Sequence, residues 1–75
     1  MDGVLEGRWG SWVIEIKTAR FESRDLTGLL ESSRRHPGFR PLVVTRPGDE
    51  GLAKRFGLRA ISWVDFLGAG PQAAA

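Results

Sequence analysis

Residues 12 to 17, Trp-Val-Ile-Glu-Ile-Lys, carry two charges spaced two apart inside an otherwise apolar run. Side chains of a strand alternate between faces, so this spacing predicts a strand with Glu15 and Lys17 on one face and Trp12, Ile14 and Ile16 on the other. An acid and an amine then share a face. In isolation that is the pattern of a half-buried strand with a charged outer side, and the neighbouring residues decide whether it is more.

Residues 2 to 6 read as a second strand, separated from the first by Gly7-Arg8-Trp9-Gly10. The two glycines supply the backbone freedom that a tight reversal needs. Setting Gly7 opposite Gly10 fixes the register, with Leu5 opposite Trp12, Val4 opposite Val13 and Asp2 opposite Glu15. Directly opposed side chains on one face have Cβ atoms about 4.5 to 5.5 Å apart, so two carboxylates and a lysine are expected to converge. A slip of one residue would send Asp2 to the other face.

The period changes near residue 23. Leu26, Leu29, Leu30 and Ser33 follow the spacing of a narrow apolar stripe on a helix. Ser23 or Asp25 suits its start, Arg34, Arg35 and His36 suit the negative end of its dipole, and Pro37-Gly38 stops it. Pro41-Leu42-Val43-Val44-Thr45 is a short continuous apolar run, the mark of an interior strand covered on both faces. Strand, helix and strand in this order predict a right-handed crossover, with the new strand parallel to residues 12 to 17. Pro47-Gly48-Asp49 reads as a turn and cap, followed by a short helix through Leu52, Ala53 and Phe56 that ends at Gly57. A last strand is expected over residues 58 to 61. Ser62-Trp63-Val64-Asp65 has the spacing of a capping box and opens a final helical turn through Phe66 and Leu67 to Gly68. The expected fold is α/β: an antiparallel hairpin extended by two crossover strands into a mixed four-stranded sheet. Residues 1 to 68 form one domain in this reading, and residues 69 to 75 a flexible tail.

Seventy-five residues make one small domain, which buries only about 60% of the surface its unfolded chain exposes. The chain has no cysteine, which excludes disulfides and thiolate metal sites and suits a reducing, cytoplasmic setting. No apolar run is long enough to span a bilayer, and the N-terminal residues lack a signal-peptide pattern, so a soluble protein is expected. Nine of the eleven basic residues are arginine, and the pI is about 9.9. Arginine's planar fork suits phosphate, which is compatible with nucleic acid; arginines also serve as solubilising charge on helix faces.

An Asp beginning one strand, a Glu-x-Lys in the next antiparallel strand, and then a helix crossing to an apolar strand resembles the PD-(D/E)XK nuclease superfamily, here as Asp2 and Glu15-Ile16-Lys17. Within it, the chain is most similar to the nuclease-like C-terminal domain of a group of bacterial and archaeal AAA-type ATPases of unknown function. Arg24-Asp25-Leu26-Thr27-Gly28-Leu29 resembles the basic loop and Asp-Leu helix of that group, and Trp63-Val64-Asp65-Phe66-Leu67 its closing aromatic and acidic segment. The resemblance covers residues 2 to 67. It implies Mg²⁺- or Mn²⁺-dependent hydrolysis of a DNA phosphodiester, with Asp2, Glu15 and the backbone carbonyl of Ile16 as metal ligands. Lys17 would orient the attacking water or offset phosphate charge, and Arg20 and Arg24 would contact phosphate. Hard carboxylate oxygens are what Mg²⁺ takes, with water and substrate phosphate filling its remaining positions.

The superfamily core opens with a helix ahead of the Asp strand, whereas Asp2 stands next to Met1. The resemblance therefore implies a sheet face without its usual cover, and with it either self-association or a partner on that face, or a chain that is part of a longer, ATPase-associated product. The helix after Glu-x-Lys also lacks the glutamine that many active relatives carry. The competing expectation is a non-catalytic DNA- or protein-binding module on the same scaffold. His36 reads as a surface residue at a helix end, Asp49 and Asp65 as caps, and Trp9 as packing or a dimer contact in preference to base stacking. Trp63, Phe66 and Phe56 read as core or as cover for the sheet edge.

Overall fold

Alternation at period two, then an apolar helix stripe, then a fully apolar run give the chain its layers. The structure, a computed structural model, describes residues 2 to 74. Strands β1 (Gly3–Gly7) and β2 (Gly10–Ile16) form an antiparallel hairpin, and β3 (Arg40–Thr45) and β4 (Arg59–Ser62) follow in parallel, in the sheet order β1-β2-β3-β4. Helix α1 (Thr27–Arg35) joins β2 to β3, α2 (Glu50–Lys54) joins β3 to β4, and α3 (Trp63–Ala69) follows β4 directly. This is the expected mixed four-stranded α/β architecture.

The hairpin register is the one the glycines predict: Gly7 pairs with Gly10, Leu5 with Trp12 and Val4 with Val13. Gly10 has φ of 100°, a conformation that L side chains avoid, and a Cβ there would lie 3.3 Å from the Arg40 guanidinium. The turn residue is thus constrained by its backbone and by its neighbour in β3.

The sheet divides the core in two. On one face Val13, Val43 and Ala60 pack with Phe21, Leu26, Leu29, Ala53 and Leu58, the side of α1 and α2. On the other, Trp12, Ile14, Leu42, Val44 and Ile61 are buried with Leu5 and Phe66 against them. Residues 42 to 45 are buried throughout, as an interior strand requires.

The expectation of an uncovered sheet face is corrected here. The second face is closed by Phe66 of α3, and the chain then turns at Gly70 (φ 81°) into a 3-10 turn, Pro71–Ala74, that packs on β4 with Pro71 fully buried. Pro71, which composition alone reads as part of a tail, therefore contributes to the cover. Proline has a fixed φ and little side-chain entropy to lose, which makes it an inexpensive lid over the end of an apolar face.

Other local expectations shift for identifiable reasons. The segment before α1 opens as a 3-10 turn, Ser23–Leu26, with Glu22 at the cap position; the Asp25 carboxylate accepts from the Glu22 amide at 2.8 Å, and Ser23 is not the cap. Ser62 caps α3 as its spacing predicts, accepting from the Asp65 amide at 3.2 Å. Asp49 stands at the cap position of α2, but its carboxylate accepts from Arg46 Nε at 2.8 Å instead of from the helix. A charged donor three residues away outcompetes the neutral backbone amides. Trp63 and Phe56 are half exposed rather than core, because α3 turns only Phe66 inward and α2 ends before Phe56.

Candidate functional site

The regular antiparallel ladder ends at Gly3 opposite Ile14, and Asp2 is held beyond it by contacts of its own. The Asp2 amide donates to the carbonyl of Ile14, the residue that Gly3 already faces, at 2.8 Å, one residue out of the hairpin register, and the Asp2 carboxyl meets the Glu15 side chain. On the other edge of β2, the Lys17 amide donates to the Val44 carbonyl at 2.8 Å, so β3 holds the strand through Lys17. These two bonds fix the end of β2 on both sides. That is where the sequence places its three candidate residues.

The Asp2 carboxylate accepts from the Ile16 amide at 2.6 Å, standing in for the next residue of the β1 ladder. A strand residue points its amide and carbonyl to the same side, so the Ile16 carbonyl is also directed toward the Asp2 edge. Glu15 and Lys17 share the α1 face of the sheet, and Lys17 Nζ lies 3.5 Å from Glu15 Oε2 with both side chains largely screened from solvent. Charge-assisted contacts of this kind close to about 2.7–2.9 Å when fully formed, so this pair is a long one, and Glu15 also meets the Asp2 carboxyl.

Asp2 is held below the ordinary carboxylate range. The chief cause is the Ile16 amide, which favours the charged form; partial desolvation opposes it, and the neighbouring Glu15 carboxyl and Lys17 ammonium lower it further. A depressed folded-state pKa stabilises the fold above the unfolded value of 3.8, and that contribution is lost as pH falls through the folded-state value. Urea unfolding at pH 6 and pH 2 is therefore expected to show an acid-induced loss in the parent that Asp2→Asn reduces. An equal loss in the two proteins would contradict this.

Among the described residues no group of three or more histidine, cysteine, aspartate or glutamate side chains is poised around a common point. The donor set at the end of β2 is two carboxylates and a carbonyl. That set fits Mg²⁺, which is commonly held by one or two carboxylates together with water and substrate phosphates. Arg20 and Arg24 follow in the exposed segment after β2; Arg24 Nε pairs with Glu22 at 3.2 Å, with both groups well exposed. His36 lies exposed at the end of α1, edge-on to Phe39.

A second grouping escapes a reading by sequence. The parallel register sets Arg40 beside Trp12, and the Arg40 and Arg59 guanidiniums lie 4.8 and 5.9 Å from the Trp12 ring centroid. Trp12 Nε1 donates to the Trp9 carbonyl at 2.8 Å, and Arg8 lies 5.5 Å from the centre of the Trp9 ring. The Arg8-Trp9 dipeptide was visible in the turn, but the approach of Arg40 and Arg59 depends on long-range strand pairing.

The class defined by fold and site is thus a small mixed-sheet α/β domain with an acid-acid-lysine cluster at the end of its hairpin. No protein-family model matches the chain, and neither a curated protein nor a solved structure matches it. No helix among the described residues is long and apolar enough to cross a membrane.

Proposed function

We propose that this chain is a metal-dependent phosphodiesterase of the PD-(D/E)XK type acting on DNA in the cytoplasm, with Asp2, Glu15 and Lys17 as its reacting centre. The observation that supports it is the Asp2 carboxylate accepting from the Ile16 amide at 2.6 Å and meeting the Glu15 side chain, which holds the first carboxylate at the Glu-x-Lys end of β2. Asp2, Glu15 and the Ile16 carbonyl would hold Mg²⁺ or Mn²⁺. A bound divalent cation polarises a phosphoryl oxygen and lowers the pKa of water.

The protein groups have separable tasks in this reading. Asp2 has one carboxylate oxygen anchored on the Ile16 amide, so its second oxygen is oriented by the end of the strand. Glu15, 3.5 Å from Lys17 and against the Asp2 carboxyl, would supply the second carboxylate to the cation. Lys17, released from Glu15, is positioned to neutralise charge that develops on the phosphate or to orient the incoming water. Arg20 and Arg24 would contact phosphates flanking the scissile bond. The test is cleavage of DNA with Mg²⁺ or Mn²⁺ and its response to Glu15→Ala: cleavage that survives the substitution removes this mechanism.

A second reading has its own observation. The Asp2–Ile16 hydrogen bond and the Lys17–Glu15 pair are also sufficient structural roles, closing the free end of β1 and screening two charges. On that reading the chain is a non-catalytic module that binds DNA or protein. Metal-independent, salt-sensitive DNA binding without cleavage would favour it.

Self-association belongs to either reading. With the inner face closed by α3, the surface that supports it is the outer side of α3, where Trp63, Val64 and Leu67 are 49%, 49% and 75% exposed. Light scattering is expected to give a multiple of 8.3 kDa that Leu67→Asp reduces. A monomeric mass for the parent would end this part of the proposal.

A further inference from the structure

The charges of this domain are segregated along the strands. Both crossover helices run back to the hairpin end, so Arg34 and Arg35 of α1 and Lys54 and Arg55 at the end of α2 arrive there, beside the starts of β3 and β4. Arg8 in the turn, Arg40 opening β3 and Arg59 opening β4 add three more. The basic residues on the helix ends are accounted for by the helix dipole. Arg8, Arg40 and Arg59 are not, since they lie on a turn and on strands.

These three arginines share a second property. The ion pairs seen among the described residues, Lys17–Glu15, Arg24–Glu22 and Arg46–Asp49, lie toward the opposite end, and among these residues Arg8, Arg40 and Arg59 have no carboxylate partner. Their guanidiniums lie against tryptophan instead, Arg40 and Arg59 on buried Trp12 and Arg8 on half-exposed Trp9. Stacking fixes a guanidinium's plane while leaving its N–H fork available, which is the state suited to phosphate.

Beside Trp9 opens a cleft of about 450 Å³ whose walls include Leu5, Arg8, Trp9, Phe66, Leu67 and Pro71. Its walls are mainly apolar and aromatic, with a guanidinium at the rim. Such a cleft accepts a flat, weakly polar ring attached to an anionic chain. A duplex keeps its bases stacked and paired, whereas a single strand presents them.

We propose that the hairpin end of the domain is a single-stranded nucleic-acid site, with a base held against Trp9 in the cleft and the backbone phosphates on Arg8, Arg40 and Arg59. It lies about 20 Å from the Asp2–Glu15–Lys17 cluster, from the strand rise over β2. It needs no metal, and it stands whether or not that cluster is catalytic.

The test is fluorescence anisotropy of a short labelled oligothymidylate, and of a duplex of the same length, in the presence of EDTA. The single strand is expected to bind more tightly than the duplex, with affinity falling as salt rises from roughly 50 to 200 mM. Trp9→Leu is expected to weaken single-strand binding about tenfold. Arg8→Ala is expected to lower the slope of log affinity against log salt by about 0.7. Both residues are exposed in the turn, and unchanged amide spectra would establish that the variants fold. As a measurement without variants, the oligonucleotide is expected to shift the amides of Arg8, Trp9, Gly10 and Arg40. The proposal is overturned if the duplex binds as tightly as the single strand. It is equally overturned if both variants keep the parent affinity within about twofold, or if those four amides do not move.

Discussion

Trp12→Ala is expected to remove a large share of this domain's stability. Trp12 is fully buried at the centre of the face closed by α3, it donates to the Trp9 carbonyl at 2.8 Å, and it underlies both Arg40 and Arg59. Removing a buried tryptophan side chain costs about 3–5 kcal/mol. A domain of this length has a total stability of only about 4–11 kcal/mol. Each kcal/mol corresponds to roughly 4–8 °C in Tm at this size, so the transition should fall by at least about 12 °C in a circular-dichroism melt. Trp12→Phe keeps most of the burial and loses chiefly the indole hydrogen bond, with a cost nearer 1 kcal/mol for that bond. A Tm for Trp12→Ala within a few degrees of the parent would mean that the second face is not a core.

Glu15→Gln should have the opposite profile, a small effect on folding and a large one on chemistry. The side chain keeps its shape and can still hydrogen-bond to its neighbours, and the ion pair weakened is a long one at 3.5 Å, worth on the order of 1 kcal/mol. A glutamine amide is a poor replacement for a carboxylate at a Mg²⁺ site, which prefers anionic oxygen. Metal-dependent DNA cleavage is therefore expected to fall on the order of 10²–10³-fold, the scale at which one electrostatic contributor to a transition state matters. Measured side by side, a melt within a few degrees of the parent and a loss of turnover would assign Glu15 to chemistry. Retained turnover would return it to a strand residue paired with Lys17 under α1.

The parts of this molecule that were legible in the sequence are those governed by local rules. Gly7 and Gly10 specified the turn, and the turn specified the register through Gly3 and Ile14; Asp2 reaches Glu15 beyond that register through its bond to the Ile16 amide. The period-two run, the Leu26-Leu29-Leu30 stripe and the Ser62–Asp65 spacing each gave an element of the right kind in the right place. The parts that were not legible depend on which elements meet. Phe66 covers the second face as expected, whereas Pro71 is brought onto it by the reversal at Gly70 and not by an apolar pattern of its own. Asp49 has the composition of a cap, yet Arg46 claims its carboxylate. Arg40 and Arg59 sit on Trp12 only because β2, β3 and β4 align as they do. The arginine-rich end of the domain therefore emerges from topology, whereas Arg20 and Arg24 attract attention in the sequence by standing next to the Glu-x-Lys motif.

The role of the Asp2–Ile16 hydrogen bond links stability to the site. A carboxylate that closes the end of β1 is oriented by the same 2.6 Å contact that lowers its pKa. The group is thus ionised throughout the neutral range, as a ligand for a hard cation has to be.

The most direct measurement is a titration of the protein with Mg²⁺ or Mn²⁺ followed by its backbone amide resonances. The account predicts saturable shifts with Mg²⁺, or line broadening with Mn²⁺, at Asp2, Glu15, Ile16 and Lys17 at millimolar metal, abolished in Glu15→Gln. The absence of any response at Asp2, Glu15 and Ile16 under those conditions would contradict it.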